Sequence, residues 1–399
     1  MLYFAATLTL GALLGAFVVI PAMGRLARLR AAPSADPAGP PSGPSPRAMI
    51  IVAAKDEAEG IELGLRSLAA QIEPRLGVIA VDDRSSDGTS EILQRVAGAT
   101  DGMEAVRVDA LPPGWLGKNH ALHVGTERTG AMADPPEFLV FTDADVVFVP
   151  GAIRGALDHM ERRGLDHLTG APRVEAESFA LAGMIAAFGV LFGLFTRPWT
   201  LGRPKSRSYV GIGALNIVRR SIYLGSGGHR AIAMRIDDDL RLGRAMRLAG
   251  GKSEFCFATD VARIRWYQSL PDLMRGLHKN AFAGIDFRLS VVALATVFLV
   301  VVFLSPFALC LVPSIEPLPR ALFAGTAALH VIGASISASR AGLPRRAGLF
   351  FPVGIALFLF ILWRSAAGAL LTGRIVWRGT TYPLDELKAH RDESQGPRA

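Results

Sequence analysis

The stretch Phe138-Leu139-Val140-Phe141-Thr142-Asp143-Ala144-Asp145 joins a short apolar run to two carboxylates one residue apart. The run has the length and composition of a buried β-strand. Carboxylates at the end of such a strand lose hydration and repel each other, so a nearby cation stabilises them. A hard divalent ion that bridges oxygen ligands and substrate phosphates meets this need. By itself the Asp-x-Asp spacing is weak evidence, because it is also common in turns and helix caps.

Acidic residues follow other predicted strands in the same way. Apolar runs at 48–54 and 76–81 predict two strands, and helical spacing of apolar residues between 57 and 71 predicts a helix that separates them. Strand–helix alternation predicts an open α/β sheet that binds ligands at the carboxyl ends of its strands. The segments Lys55-Asp56-Glu57 and Asp82-Asp83, each with two carboxylates, stand at such ends. A ligand contact is favoured for Asp83, whereas capping of a helix over 86–96 explains Asp87 equally well.

Apolar residues are concentrated at the two ends of the 399-residue chain. Residues 1–24 are uncharged and basic residues follow them, which favours a retained anchor over a cleaved signal peptide. The runs 289–315 and 321–339 predict two membrane spans, and 347–373 is either a third span or a re-entrant or interfacial segment. The basic loop 340–346 predicts a cytoplasmic position for the loop and for the central domain.

Five regions are therefore expected along the chain. They are an anchor at 1–24, a basic and Pro-rich linker at 25–47, a globular domain at 48–287, membrane segments at 288–373 and a tail at 374–399. The net charge is +8, but the basic residues do not alternate with aromatic residues as they do in nucleic-acid-binding proteins, so no nucleic-acid partner is expected. The positive charge suits a membrane surface with anionic lipid instead. Cys256 and Cys310 predict neither a disulfide framework nor a zinc site.

Several motifs of the central region resemble glycosyltransferase family 2, whose members have a GT-A fold. They occur in the family's order, namely Ile51-Val52-Ala53-Ala54-Lys55-Asp56-Glu57-Ala58, Val81-Asp82-Asp83-Arg84-Ser85-Ser86-Asp87-Gly88-Thr89, Thr142-Asp143-Ala144-Asp145 and Ile236-Asp237-Asp238-Asp239-Leu240-Arg241-Leu242-Gly243. The segments 111–119, 227–229 and 279–280, with the C-terminal apolar runs, are similar to the hopene-associated group and to carotenoid glycosyltransferases. The fold expected is thus α/β, a GT-A-type nucleotide-sugar-binding open sheet with N- and C-terminal transmembrane helices.

The resemblance also implies roles for single residues. Glu57, Asp82 and Asp83 would hold the nucleotide, and Lys118 would face the diphosphate. Asp145 would bind a divalent metal (Mn²⁺ or Mg²⁺), with Asp143 near the ribose or the metal. Asp239 best matches the general base and Asp238 the adjoining acid, although the register among Asp237, Asp238 and Asp239 stays open. Lys279 is either an acceptor contact or a basic residue at the membrane interface.

The expected reaction is transfer of one sugar, with inversion, from a nucleotide-sugar donor to a lipid acceptor such as a hopanoid or another polyisoprenoid. Ala262 stands where the Gln-x-x-Arg-Trp motif of processive family members has Gln, which argues against polymer synthesis. The apolar segment 179–195 is either a buried core helix or an interfacial helix beside the lipid acceptor. Two alternatives are a polyprenyl-phosphate glycosyltransferase and a non-catalytic membrane scaffold. The sequence leaves the oligomeric state open.

Overall fold

The computed structural model describes residues 1–32, 47–203, 206–377 and 379–393. Most of the predicted linker at 25–47, and part of the predicted tail at 374–399, lie outside these described residues. The chain forms two compact units. One unit contains Met1–Leu26, Val174–Trp199 and Trp266–Ala389, and the other contains the described residues of Ala27–Arg173 and Thr200–Arg265, together with residues 390–393.

The described strands and helices follow one another along both units. The strands are β1 (Ala27–Arg28), β2 (Ala48–Ala54), β3 (Leu76–Asp83), β4 (Met103–Val108), β5 (Phe138–Asp143), β6 (Val147–Phe148), β7 (His167–Ala171), β8 (Arg173–Val174), β9 (Asn216–Arg219), β10 (Ser253–Phe257), β11 (Ala262–Ile264), β12 (Arg374–Trp377) and β13 (Thr380–Pro383). The helices are α1 (Leu2–Gly24), α2 (Ile61–Ala69), α3 (Thr89–Gly98), α4 (Gly117–Gly130), α5 (Ala152–Arg163), α6 (Phe179–Thr196), α7 (Arg220–Gly225), α8 (Asp238–Leu248), α9 (Leu270–Ala283), α10 (Leu289–Phe298), α11 (Ser305–Leu309), α12 (Pro317–Arg340), α13 (Phe351–Thr372) and α14 (Leu384–Glu393).

An open eight-stranded sheet, in the order β1-β10-β7-β9-β5-β2-β3-β4, organises the second unit. Its strands pair in parallel except β9, which is antiparallel to both β5 and β7. The α/β open sheet predicted from the sequence is confirmed. The antiparallel strand was not predicted, because β9 has only four residues and carries no alternating pattern of its own.

Strand register brings the acidic segments to one edge of this sheet. Ala53 of β2 pairs with Val81 of β3 and with Asp143 of β5, so these three strands end at the same level. The strands are almost wholly buried, as their continuous apolar runs predict for the centre of a parallel sheet. The buried strands therefore present their polar ends, and not their faces, to a ligand.

The first unit is built from apolar helices. Five helices of the described chain are long and apolar enough to cross a membrane: Leu2–Gly24, Phe179–Thr200, Leu289–Leu309, Pro317–Arg340 and Arg345–Thr372. Close packing joins them, since a Cβ on Gly183 of α6 would lie 2.2 Å from Phe350. Thr9 of α1 and Thr326 of α12 share a hydrogen bond of 2.9 Å. The apolar segment 179–195 and the helix α9 both belong to this unit.

Candidate active site

A lysine lies between two aspartates at the carboxyl edge of the sheet. Lys118 is the second residue of α4, and its Nζ is 2.8 Å from Asp143 Oδ1 and 3.2 Å from Asp238 Oδ2. Although burial disfavours the charged amine, the carboxylates of Asp143, Asp238 and Asp239 outweigh it and raise the pKa of Lys118. The ammonium is therefore charged at every physiological pH and neutralises part of the acidic cluster.

Asp239 is held by backbone groups and not by a cation. Its Oδ2 accepts a 2.8 Å hydrogen bond from the Gly213 N–H, and its Oδ1 accepts one of 2.7 Å from the Leu240 N–H. Among the described residues no Lys, Arg or His lies within ion-pair distance of it. Burial, together with the charge of Asp238, raises the pKa of Asp239 to about 7. A carboxylate with that pKa is suited to accept a proton at neutral pH.

The three consecutive aspartates have different surroundings. Asp237 is fixed by two arginines, with Arg241 Nε at 2.7 Å and Arg235 Nε at 3.1 Å. Asp238 is buried against Lys118, and burial raises its pKa. Asp237 is thus engaged in ion pairs with two arginines, whereas Asp238 contacts Lys118 and Asp239 accepts from backbone N–H groups.

Two glycines set the position of Asp239. A Cβ on Gly211 would lie 1.8 Å from the Asp239 carbonyl oxygen, and a Cβ on Gly243 would lie 2.0 Å from the Val210 carbonyl oxygen. Helix α8 therefore packs backbone to backbone against the segment that precedes β9. Any larger residue at either position would push α8, and Asp239 with it, away from this edge.

Asp145 lies on the open side of the cluster, where its side chain is exposed. Desolvation by the surrounding protein, and the charges of Asp143 and Glu57, raise its pKa to about 7. Such mutually repelling carboxylates fit a hard divalent cation in their donor chemistry. The described residues include no group of three or more His, Cys, Asp or Glu side chains able to hold an ion alone. The remaining ligands would have to come from substrate oxygens.

The predicted nucleotide residues lie at the ends of β2 and β3. Asp82 accepts hydrogen bonds from Arg107 at 3.0 Å and from the Ser85 N–H at 3.1 Å. Asp83 is buried beside α4, where a Cβ on Gly117 would lie 2.1 Å from Asp83 Oδ2. The Glu57 N–H donates to the Thr89 hydroxyl at 2.8 Å. These contacts shape the loops after both strands.

Asp87 directly precedes Gly88, the N-cap residue of α3, and is not itself the N-cap. Its carboxylate accepts hydrogen bonds from the Thr89 N–H at 3.1 Å and from the Ala58 N–H at 3.0 Å, which joins the start of α3 to the loop after β2. The backbone is strained in the same region, because Arg84, a non-glycine residue, has a positive φ of 56°.

Lys279 lies in the first unit, on α9, and is not among the residues of the acidic cluster. Its ammonium is 4.6 Å from the centroid of the Trp377 ring, a cation–π contact. Two residues of the cluster's surroundings, His229 and Asn216, had no role predicted from the sequence. Neither carries a charge at the end of a strand, and the strand that holds Asn216 was itself not predicted. The roles assigned to the site residues stay predictions.

Comparison with known proteins identifies the family. Residues 49–220 match the family model "Glycosyl transferase family 2". A 4,4'-diaponeurosporenoate glycosyltransferase from Staphylococcus haemolyticus is 25% identical over 200 residues, which are 50% of this chain and 51% of that one. A Staphylococcus aureus protein of the same name is 23% identical over 241 residues, 59% of this chain and 58% of that one. The chain thus spans about half the length of the curated relatives it matches.

A solved structure shares the fold. A mannosyltransferase from Pyrobaculum calidifontis, in complex with GDP-Man and Mn²⁺, superposes with a TM-score of 0.51 at 18% identity and covers 93% of this chain and 99% of that one. At this identity the likeness concerns the fold alone. The narrower resemblance to the hopene-associated group stays a prediction. Residues 49–220 thus form a glycosyltransferase family 2 domain, and the sheet that contains them is GT-A-like.

Proposed function

We propose that this protein is a membrane-bound inverting glycosyltransferase that moves one sugar from a nucleotide-sugar donor to a polyisoprenoid lipid, for which a hopanoid is one candidate. The observation that carries the proposal is Asp239. In a family 2 domain, at the ligand edge of the sheet, this carboxylate has a pKa of about 7 and two backbone donors, and no Lys, Arg or His of the described residues lies within ion-pair distance of it. A proton acceptor without a counter-ion is what attack by a neutral hydroxyl requires.

The residues at the edge divide the chemistry between them. Asp239 takes the proton from the acceptor hydroxyl as the oxygen attacks the anomeric carbon. Asp238, buried beside Lys118, keeps the amine close to the departing group. The charge of Lys118 stabilises the diphosphate as it leaves. Direct attack from the face opposite the leaving group inverts the anomeric centre.

Asp145 and Asp143 would hold a divalent cation, Mn²⁺ or Mg²⁺. That ion, when bound, supplies neutralisation of the charge that develops on the diphosphate. The raised pKa of Asp145 supports this assignment, because crowded carboxylates bind a cation readily. The Mn²⁺ in the Pyrobaculum structure agrees with it. Glu57, Asp82 and Asp83 would hold the nucleotide.

A lipid acceptor agrees with two observations. The relatives are named for 4,4'-diaponeurosporenoate, a carotenoid acid. In addition, five helices of the described chain could span a membrane, and one of them, Phe179–Thr200, interrupts the family domain in sequence. The basic residues between α12 and α13 favour a cytoplasmic site, where nucleotide sugars are made. Lys279, on α9 of the apolar unit, is the candidate acceptor contact.

The second candidate function is transfer to a polyprenyl phosphate, in which a phosphate oxygen attacks. A phosphate is already deprotonated and needs no general base. The pKa and backbone bonding of Asp239 therefore favour a hydroxyl acceptor. A non-catalytic scaffold would leave the acidic cluster without a purpose.

The test uses the full-length protein in lipid nanodiscs with a panel of UDP-, GDP- and dTDP-sugars and three acceptors: a hopanoid polyol, a carotenoid acid and a polyprenyl phosphate. We expect transfer that requires Mn²⁺ or Mg²⁺. Asp239→Asn should lose transfer by about 100-fold or more, and Asp145→Ala should lose the metal dependence along with most of its activity. Asp101→Asn, at an exposed loop position, is the matched control.

Each outcome separates the candidates. Product with the phosphate acceptor alone, unaffected by Asp239→Asn, would select the polyprenyl-phosphate function. Equal behaviour of wild type, Asp145→Ala and Asp239→Asn would refute catalysis altogether. Lipid mass spectrometry of cells with and without the protein identifies the natural product.

A further inference from the structure

A buried histidine lies beside the acidic cluster and has no part in the proton transfer described above. His229 is 1% exposed and lines one narrow cleft together with Lys118, Asp143, Asp238 and Asp239. It follows Gly228, whose φ is +53°, in a short 3₁₀ turn. A buried polar ring that faces a ligand cleft calls for an account of both of its nitrogens.

One ring nitrogen, Nδ1, is engaged by Tyr223. The backbone N–H of His229 donates to the Tyr223 hydroxyl oxygen at 3.0 Å, and the same hydroxyl lies 2.7 Å from His229 Nδ1. Burial raises the pKa of Tyr223 to about 12, so the hydroxyl keeps its hydrogen. A hydroxyl oxygen has two lone pairs, so it can accept from the backbone and still donate its own hydrogen to Nδ1; in that arrangement the hydrogen of the imidazole is on Nε2.

Aromatic packing and the Tyr223 hydroxyl hold the ring in place. It packs edge to face with Phe141, with centroids 4.7 Å apart, and its Nδ1 lies 2.7 Å from the Tyr223 hydroxyl. Within the described part of the chain, Nε2 has no hydrogen-bond partner. Burial, and the charge of Lys118, also lower the pKa of His229 to about 3, which keeps the ring neutral.

The surroundings of this N–H suit a hydroxyl group. Three carboxylates line the cleft and disfavour an anion, while Lys118 already supplies the cation. A hydroxyl can accept from Nε2–H and donate to a carboxylate at the same time. The cleft has room for about one water-sized group, with a volume of about 10 Å³. One sugar hydroxyl matches both the size and the pattern of donors and acceptors.

We propose that the Tyr223 hydroxyl donates to His229 Nδ1 and that Nε2 donates a hydrogen bond to one hydroxyl of the transferred sugar, which makes Tyr223 the positioning residue that fixes the required tautomer. The pair thereby selects among nucleotide sugars by the presence and the orientation of that hydroxyl. This inference rests on the proposed glycosyltransferase function, and it assigns the sugar-recognition step of that function to two residues outside the acidic motifs.

The experiment pairs protein variants with deoxy donors. Initial rates are measured for wild type, His229→Phe, His229→Gln and Tyr223→Phe with the best nucleotide sugar of a UDP-, GDP- and dTDP-sugar panel, and with its analogues that each lack one hydroxyl. Wild type should lose about 10- to 100-fold in kcat/KM with one analogue only, because that analogue leaves a buried donor unpaired. His229→Phe should lose a similar factor with the full sugar and no more than about threefold further with that analogue.

The other variants separate recognition from folding. His229→Gln keeps an N–H near the position of Nε2 and should recover part of the discrimination. Tyr223→Phe removes the group that fixes the tautomer and should weaken it. Discrimination in His229→Phe equal to that of wild type overturns the proposal, as does a wild type that tolerates every deoxy analogue. If His229→Phe does not fold, the same comparison is decided with His229→Gln and Tyr223→Phe. Wild type that uses no nucleotide sugar of the panel overturns the proposed function and this inference together.

Discussion

At the scale of single residues, the site depends on where the positive charges are placed. Lys118 forms ion pairs with Asp143 and Asp238, and Asp237 forms ion pairs with arginines. Asp239 instead accepts a hydrogen bond from a neutral backbone N–H group. The sequence suggested the acids but could not rank the three aspartates. Their difference arises from Arg235 and Arg241, whose proximity to Asp237 depends on the turn that begins α8. The different surroundings of the three aspartates thus follow from packing that no motif records.

The pH dependence of the reaction should report Asp239. Its pKa is raised to about 7, and a general base acts only when deprotonated, so kcat/KM should fall about tenfold per pH unit below that value. Rates between pH 5 and 9 in wild type and Asp239→Asn measure this. The residual rate of Asp239→Asn should be flat across this range. A profile in Asp239→Asn that is as steep as in wild type would assign the titration to another group, with Asp145 the next to replace.

At the scale of elements, two features hold the site: the antiparallel strand β9 and the glycine contacts of α8. Strand β9 places Asn216 opposite Phe141 of β5 and opposite Thr169 of β7, in the middle of the sheet. Parallel strands with long apolar runs were predictable from sequence, whereas a four-residue strand was not. Likewise, the sequence does not show why residue 243 is a glycine. The structure gives the reason, because the Val210 carbonyl packs directly against it.

Replacing Gly243 by Ala should damage catalysis through displacement of α8. The added Cβ would meet the Val210 carbonyl oxygen at 2.0 Å, and backbone cannot yield as a side chain does. We expect at least a tenfold loss of transfer together with a lower Tm. Gly98→Ala on α3 is the matched control, since nothing lies within 4 Å of its Cβ position. Equal transfer rates in the two variants would show that α8 does not position Asp239.

The buried His167 should make the stability of the sheet depend on pH. Its Nε2 lies 2.7 Å from Asn216 Oδ1 and its Nδ1 lies 3.2 Å from Ser253 Oγ, which links β7, β9 and β10. Burial lowers its pKa to about 4, so the folded state favours the neutral ring. The contribution to the free energy of unfolding is complete above about pH 6.5 and is lost as pH falls towards 4, by about 1.4 kcal/mol per pH unit.

Thermal unfolding of wild type and His167→Gln between pH 4 and 7.5 checks this expectation. His229, whose pKa is also lowered, changes stability in the same direction in both proteins and cancels in the comparison. The advantage of wild type over His167→Gln should shrink as the pH falls. A constant difference in Tm across the range would contradict a neutral buried His167.

At the scale of the whole molecule, the sequence predicted the two kinds of structure but not their partition along the chain. The α/β sheet and four of the five apolar helices were expected from continuous apolar runs, which are a local signal. The grouping of α6 and α9 with the apolar helices was not, because it depends on contacts such as that of Gly183 with Phe350, which are distant in sequence. The boundary expected at residue 287, between the globular domain and the membrane segments, stays a prediction.

Removal of residues 1–24 should leave the protein in the membrane. Four other helices of the described chain are long and apolar enough to span it. The loss of α1 removes the hydrogen bond between Thr9 and Thr326 and the contact of Phe4 with Phe323, so the Tm should fall. Carbonate extraction of membranes and a thermal shift measured in detergent test the two parts. Release of the shortened protein into the soluble fraction would mean that α1 alone anchors it.

The position of α6 in the chain has a consequence for biogenesis. Strand β9 pairs between β5 and β7, yet it is synthesised after α6, which begins eight residues beyond β7. A ribosome therefore delivers an apolar helix, a natural substrate for the insertion machinery, before the strand that closes the centre of the sheet. Until β9 has been synthesised, β5 and β7 of the nascent sheet lack the strand that pairs with both of them. If α6 enters the membrane as it is synthesised, completion of this edge waits for that step, and a stalled insertion would expose unpaired strand edges to chaperones and proteases.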